Sequence, residues 1–189
     1  MSRVEMHPPF KHYRGTIGDL VYRKVKGKTI VAVKPDADRP VSQAEVAHRK
    51  NFSEAAAWAT DAMENQEMRQ TYEELGYERD IPARAVAVSD FLVRPSIEPL
   101  DLSSYVGQTG NHIYFAATDN VGVTGARVTI SDTEGNPFES GIANEIDQKA
   151  GLWMYRTLSA VPAGTDVQIL VQVNDRPGNI TELTEEKSL

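Results

Sequence analysis

"DVQILVQVND" (Asp166 to Asp175) sets Val167, Ile169, Val171 and Val173 on one side of an extended chain and Gln168 and Gln172 on the other. Successive side chains of a strand point to opposite faces, so this period of two reads as a half-buried β-strand. The same period recurs upstream. "HIYFAAT" (His112 to Thr118) places Ile113, Phe115 and Ala117 together, and "ARVTISD" (Ala126 to Asp132) sets Ala126, Val128 and Ile130 against Arg127 and Thr129. "LWMYRTL" (Leu152 to Leu158) puts Trp153 and Tyr155 on one face and Leu152, Met154 and Leu158 on the other. Turn residues at Glu134-Gly135-Asn136, Pro162-Ala163-Gly164 and Pro177-Gly178-Asn179 punctuate these runs.

With "IEPLDLS" (Ile97 to Ser103) and "FESGIA" (Phe138 to Ala143), the pattern predicts six or seven strands in about ninety residues, an immunoglobulin-like antiparallel β-sandwich over 96–189. The chain contains no cysteine, so the sandwich carries no disulfide and thiolate metal sites are excluded.

Before residue 96 the period is helical. Ser42 followed by Glu45 is a capping box, each side chain serving a backbone N–H at a helix start. Phe52, Ala56, Ala59 and Met63 then share one helical face. A second helix is expected in "NQEMRQTYEELG" (Asn65 to Gly76), with Met68, Tyr72 and Leu75 as its stripe and Gly76 as its stop. A third is expected in "DIPARAVAVSDFLVRP" (Asp80 to Pro95), capped by Asp80 and lined by Ile81, Ala85, Val88 and Leu92, with a strand as the alternative. His48 and Trp58 read as packing or half-exposed residues. The expected class is therefore α+β: a β-hairpin arm over 1–40, a small helical region of about three helices over 41–95, and the sandwich over 96–189.

The arm comes from "GDLVYRKVKGKTIVAVKP" (Gly18 to Pro35). Leu20 to Val25 and Thr29 to Lys34 are rich in β-branched residues, and Lys26-Gly27-Lys28 supplies the turn. Leu20 and Tyr22 fall on one face, Val21 and Val25 on the other, and Ile30, Val31 and Val33 extend the apolar surface. A two-stranded hairpin is marginal in water. This one needs a partner surface, within the chain or on another molecule. Residues 1–34 hold eight Lys/Arg against Glu5 and Asp19, a charge of +6, whereas the whole chain is −7 and its remainder therefore −13. A basic arm on an acidic body points to an acidic surface, a neighbouring copy or nucleic acid. Tyr13 and Tyr22 could stack on bases, but no nucleic-acid motif surrounds them.

Two resemblances follow from these residues. "DNVGVTGARVTISDTEG" (Asp119 to Gly135), "WMYRT" (Trp153 to Thr157) and "NDRPGN" (Asn174 to Asn179) resemble bacterial Ig-like modules, in which an Asp ends an early strand and D-x-x-G-N ends a late one. The whole chain resembles a group of small bacterial proteins with a head G-x-x-G-x-L-V-x-R-x-x-x-G-K and a helix S-x-A-x-x-x-x-R-x-x-F-x-x-A. Gly15, Gly18, Leu20, Val21, Arg23, Gly27, Lys28, Ser42, Ala44, Arg49, Phe52 and Ala55 match it, and Glu45 stands where the pattern has Gln. That resemblance implies an architecture and no reaction.

Catalytic chemistry has little to work with. His7, His12, His48 and His112 lack metal-ligand spacing, no P-loop, G-x-S-x-G or H-E-x-x-H is present, and no nucleophile–base–orienter set can be assembled. "EIDQKAG" (Glu145 to Gly151) is not a complete EF-hand loop. Asp119 and Asp175, with Asn120 and Asn174, close strands that could end at one pole of the sandwich, where their oxygens could bind Ca²⁺. Asx-turns that satisfy loop N–H groups are the alternative for these residues. No other cofactor is expected, and no enzyme.

No run of eighteen apolar residues occurs and the start lacks an apolar signal region, so neither a transmembrane helix nor a Sec signal peptide is expected. The expected function is structural: a self-assembling subunit of a filament, sheath or virion-like body. Leu20, Val21, Tyr22, Val25, Ile30, Val31 and Val33 would dock on a neighbour. A binding module for polysaccharide, through outward Trp or Tyr residues, or for nucleic acid, through the arm, is the alternative. Synthesis in the cytoplasm fits either.

Overall fold

The computed structural model describes residues 14–25, 27–34, 36 and 40–189. His7, His12, Tyr13, Lys26 and Pro35 lie outside the described residues. The chain is α+β, with three helices and antiparallel sheets, none of them closed. It forms two compact units, Met1–Val46 and Ala47–Leu189.

The first unit holds a three-stranded meander, β1 (Gly15–Ile17), β2 (Leu20–Val25) and β3 (Lys28–Val33), in that spatial order. The expected hairpin thus gains a strand. Gly18 turns β1 into β2 with φ of 56° and Gly27 stands between β2 and β3 with φ of 78°, conformations that suit glycine. Register pairs Leu20 with Val33 and Tyr22 with Val31 on one face, and Val21 with Ala32 and Arg23 with Ile30 on the other. Ile17, opposite Leu20, extends the first face. None of the described residues of this sheet is buried.

Helix α1 (Gln43–Glu64) begins as expected, with Ser42 Oγ accepting the Glu45 N–H at 3.2 Å. Its buried residues are Ala55, Ala59 and Ala62; of the expected face, Ala59 is buried and Met63 packs against the helical core, whereas Ala56 is half-buried and Phe52 is exposed. Methyl side chains of α1 enter the helical core, while its bulk comes from Tyr72 and Val86. Helix α2 (Gln66–Arg79) starts at Asn65, whose side chain accepts the N–H groups of Glu67 and Met68. Met68, Tyr72 and Leu75 face the helical core as expected.

Two corrections follow at the α2–α3 corner. Gly76 does not end α2. It lies inside the helix, where an added Cβ would stand 2.7 Å from the Ile81 carbonyl oxygen. The stop is Asp80, left-handed at φ 53°, so Asp80 closes α2 instead of capping the next helix. Helix α3 (Ala83–Leu92) is a helix and not a strand, and Pro82 precedes it. Its buried residues are Val86, Ala87 and Asp90, whereas Ile81, Ala85 and Leu92 are exposed.

Eight strands follow: β4 (Ser96–Ile97), β5 (His112–Thr118), β6 (Val123–Asp132), β7 (Pro137–Ile142), β8 (Asn144–Asp147), β9 (Leu152–Arg156), β10 (Asp166–Asp175) and β11 (Ile180–Ser188). They build two four-stranded antiparallel sheets, ordered β11-β10-β6-β7 and β4-β5-β9-β8. The residues chosen by alternation meet in one core: Ile113, Phe115, Trp153 and Tyr155 from one sheet, Val128, Ile130, Val167, Ile169, Val171 and Val173 from the other. Each such side chain stabilises the fold by about 1.5–3 kcal/mol on full burial.

Strands β8 and β11 are additions to the expected set. β11 pairs with β10 over its whole length, and its Glu182 and Glu186 accept hydrogen bonds from Gln172 and Gln168. Among the described residues no helix is long and apolar enough to cross a membrane.

Candidate metal centre

The turn that leaves β10 begins at Asp175, the last residue of the strand. Asp175 Oδ1 accepts the Asn179 N–H at 2.6 Å and Oδ2 accepts the Asn179 side-chain amide at 2.7 Å. The Asp175 N–H in turn donates to the Asn179 carbonyl at 3.2 Å. Alternation along β10 carries Asp175 to the same side as Val173, and it is only 2% exposed. The Asp175 carboxylate thus satisfies a loop N–H four residues on, and it does so while buried.

A second carboxylate comes from the loop between β5 and β6. Asp119 Oδ2 accepts the N–H groups of Val121 at 2.9 Å and Gly122 at 3.0 Å, which folds the loop inward. Val121 then packs on the helical core. Asn120 ties the loop to α3 through its side-chain amide, which donates to Ser89 Oγ at 3.0 Å, and Arg79 donates to the Asn120 carbonyl.

The third carboxylate is Asp90 on α3, which sequence reasoning missed. It follows Val86 by four residues and Ala87 by three, so it lies on the helix face that enters the core. Asp90 is wholly buried, and its Oδ2 accepts the Tyr72 hydroxyl at 2.5 Å. A carboxylate on the apolar face of a helix is the available signal, and a stripe drawn from apolar residues alone hides it. Asn179 adds a further tie, its side-chain amide donating to the Phe91 carbonyl at 3.2 Å.

Asp90, Asp119 and Asp175 converge. One oxygen from each lies within 4.8 Å of one from each of the others, and among the described residues this is the group that could hold a metal ion. The structure thus brings the two sequence-chosen aspartates together and adds a third. Asn174 takes another role, its amide donating to Thr124 Oγ1 across the strand pair. His48 is exposed on α1, and His112 lies in β5 with its ring 5.9 Å from that of Tyr114.

The charge of the cluster is poorly balanced. Burial raises the Asp90 carboxyl to about 6, the Tyr72 hydrogen bond opposing it and Asp119 and Asp175 adding to it. Burial, and then the bond to Asp90, raises the Tyr72 phenol. The nearby cation is Arg176, whose guanidinium carbon stands 5.8 Å from the Tyr72 ring centroid. Its attraction to Asp90 is the weakest of these influences. Three buried acceptor oxygens have no donor, Asp90 Oδ1, Asp119 Oδ1 and Asn120 Oδ1. Such orphaned groups are rare and costly in native proteins. Asp119 also lines a surface cleft with Thr118, Gly122, Glu145 and Lys149.

The residues expected to dock on a neighbour, Leu20, Val21, Tyr22, Val25, Ile30, Val31 and Val33, all lie on the three-stranded sheet of the first unit. Trp153 and Tyr155 are buried in the core, so neither is an outward aromatic of the kind a sugar platform would use.

No family model matches the chain. No curated protein matches it either. Among solved structures, CopC from Methylosinus trichosporium OB3b aligns with 49% of this chain and 89% of its own, at 16% identity and a TM-score of 0.37. A likeness at that score carries no argument about fold or function.

Proposed function

We propose that this chain is a non-enzymatic structural protein that assembles with further copies of itself through the N-terminal sheet. In this reading the C-terminal paired sheets form an immunoglobulin-like sandwich that acts as a rigid outward module. A filament, sheath or virion-like body is the assembly it suits.

The observation that carries the reading is the apolar surface of β1–β3. Ile17, Leu20, Val25, Ile30, Val31 and Val33 are all exposed on one small sheet, Val33 at 70%. Such clustered apolar surface marks interaction sites. Arg14, Arg23, Lys24, Lys28 and Lys34 surround it, opposite in sign to the rest of the chain. The complementary surface on a second copy is acidic. Edge strand β8, exposed along its length, carries Glu145 and Asp147 beside Ile146 and offers one such surface.

Size-exclusion light scattering tests this. Full-length protein should form oligomers that high salt weakens, and deletion of residues 1–34 should give a monomer. Val33→Glu should also dissociate the assembly while leaving the circular dichroism spectrum intact. A full-length protein that stays monomeric at high concentration overturns the reading.

A further inference from the structure

We propose that Asp90, Asp119 and Asp175 bind a Ca²⁺ ion that fastens α3 to the β5–β6 loop and the β10–β11 turn. The three carboxylates come from three separate elements, and their oxygens approach within 4.8 Å of one another. Oxygens that close together can all reach one ion at calcium's bond lengths of about 2.3–2.6 Å, and ligands drawn from three separate elements suit calcium's flexible geometry better than the near-ideal octahedron that magnesium demands. All the ligands are hard oxygens, with no imidazole or thiol to favour a transition metal.

A second observation points to a ligand independently of this clustering. Asp90 is fully buried, and its Oδ1 receives no hydrogen bond. An acceptor in that position needs a proton donor or a cation. The buried oxygens Asp119 Oδ1 and Asn120 Oδ1 share the deficit, and Asn120 supplies a neutral oxygen from the same loop. Asp119 and Asp175 are already held by their turns, so their carboxylates are fixed before an ion arrives. Arg176 does not replace the ion: among the described residues it makes no ion pair within 4.0 Å, and it lies over the Tyr72 ring. Fastening α3 to two strand-end loops is a local role that stands whether or not the N-terminal sheet assembles copies.

The test uses the full chain, stripped with EDTA and returned to calcium-free buffer. Calorimetric titration with CaCl₂ should show saturable binding of one ion. The melting temperature should rise by about 5–10 °C at calcium 100-fold above its dissociation constant. Magnesium at the same concentration should raise it much less. Terbium should bind the same site, emit on excitation of Tyr72, and be displaced by calcium. Asp119→Asn and Asp90→Asn should each abolish the response, whereas Asp132→Asn should leave it intact. Absence of heat and of any melting shift with millimolar calcium overturns the proposal. So does an undiminished response in folded Asp119→Asn, which keeps the test open if Asp90→Asn fails to fold.

Discussion

Two turns of this molecule share one design. Asp132-Thr-Glu-Gly-Asn136 closes β6, and Asp175-Arg-Pro-Gly-Asn179 closes β10. In each, the Asp side chain accepts both the backbone N–H and the side-chain amide of an Asn four residues on. In each, a glycine in the fourth position holds a left-handed φ, 88° at Gly135 and 93° at Gly178. Their surroundings differ. Hydrogen bonds from Asn136 hold the Asp132 carboxyl below its usual range, and among the described residues it belongs to no group of three or more possible metal ligands. Asp175 is buried beside Asp90 and Asp119, and part of that group lacks donors. The turn motif explains the hydrogen bonds at both places. Burial and convergence are what distinguish a candidate ion site from a loop.

The contrast is sharpest in pH dependence. The folded Asp90 carboxyl titrates at about 6, above its ordinary 3.8. Its contribution is therefore fully present below pH 3.8 and lost as pH rises through 6. In calcium-free buffer, stability should fall across that window by on the order of 3 kcal/mol from this group, and Asp90→Asn should flatten the limb. Asp132 has the opposite sign: its contribution is present above the unfolded value and lost as pH falls through the depressed folded one. Urea unfolding from pH 4 to 7 reads the Asp90 limb, and extending the series below pH 3.8 reads that of Asp132. A calcium-free limb that rises with pH and is unchanged by Asp90→Asn would break the contrast.

Asp175→Ala should cost about 1–3 kcal/mol in calcium-free buffer, because a partly buried Asn179 N–H loses its acceptor. Asp132→Ala should cost less, since water can replace the lost acceptor there. Equal losses in urea melts would show that the two turns are alike after all. Gly76→Ala tests how firmly Asp90 is presented. The new methyl would meet the Ile81 carbonyl and the Ala83 nitrogen, both backbone atoms of the α2–α3 corner. A loss of roughly 1–3 kcal/mol from overpacking should exceed the helix-propensity gain of about 1 kcal/mol. Calcium affinity should weaken with it. A thermal melt that shows stabilisation would mean that the corner yields. Smallest of all, Asp132→Asn should leave calcium affinity unchanged.

The strands that matter most were legible because burial and alternation agree in them. Val167, Ile169, Val171 and Val173 are all inward, as are Ile113, Phe115 and Ala117. β11 escaped notice because its half-buried side reads Thr181, Leu183, Glu185 and Lys187. Glu185 and Lys187 spend their charges locally, accepting the Leu100 N–H and donating to the Leu102 carbonyl. β1 was hidden between two glycines that read as bends. In the helices, small alanines blurred the stripe of α1, and α3 is apolar on several sides, so its orientation depends on the helix and the loops it meets.

The site was legible by half. Asp119 and Asp175 could be chosen because both end strands that alternation defines. Asp90 could not, because its partners are remote in sequence: Tyr72 lies eighteen residues before it, and the two loops lie well after it. Asp80 misled for a related reason. Its side chain suits a helix start, but its left-handed backbone makes it the end of α2.

The most direct measurement is an X-ray structure of crystals grown in calcium, with anomalous data, compared with crystals grown in EDTA. One peak should stand between Asp90, Asp119 and Asp175, with oxygen distances of about 2.3–2.6 Å, and none beside Asp132. A calcium-grown crystal with no peak there, and Asp90 Oδ1 still without a partner, would contradict the account.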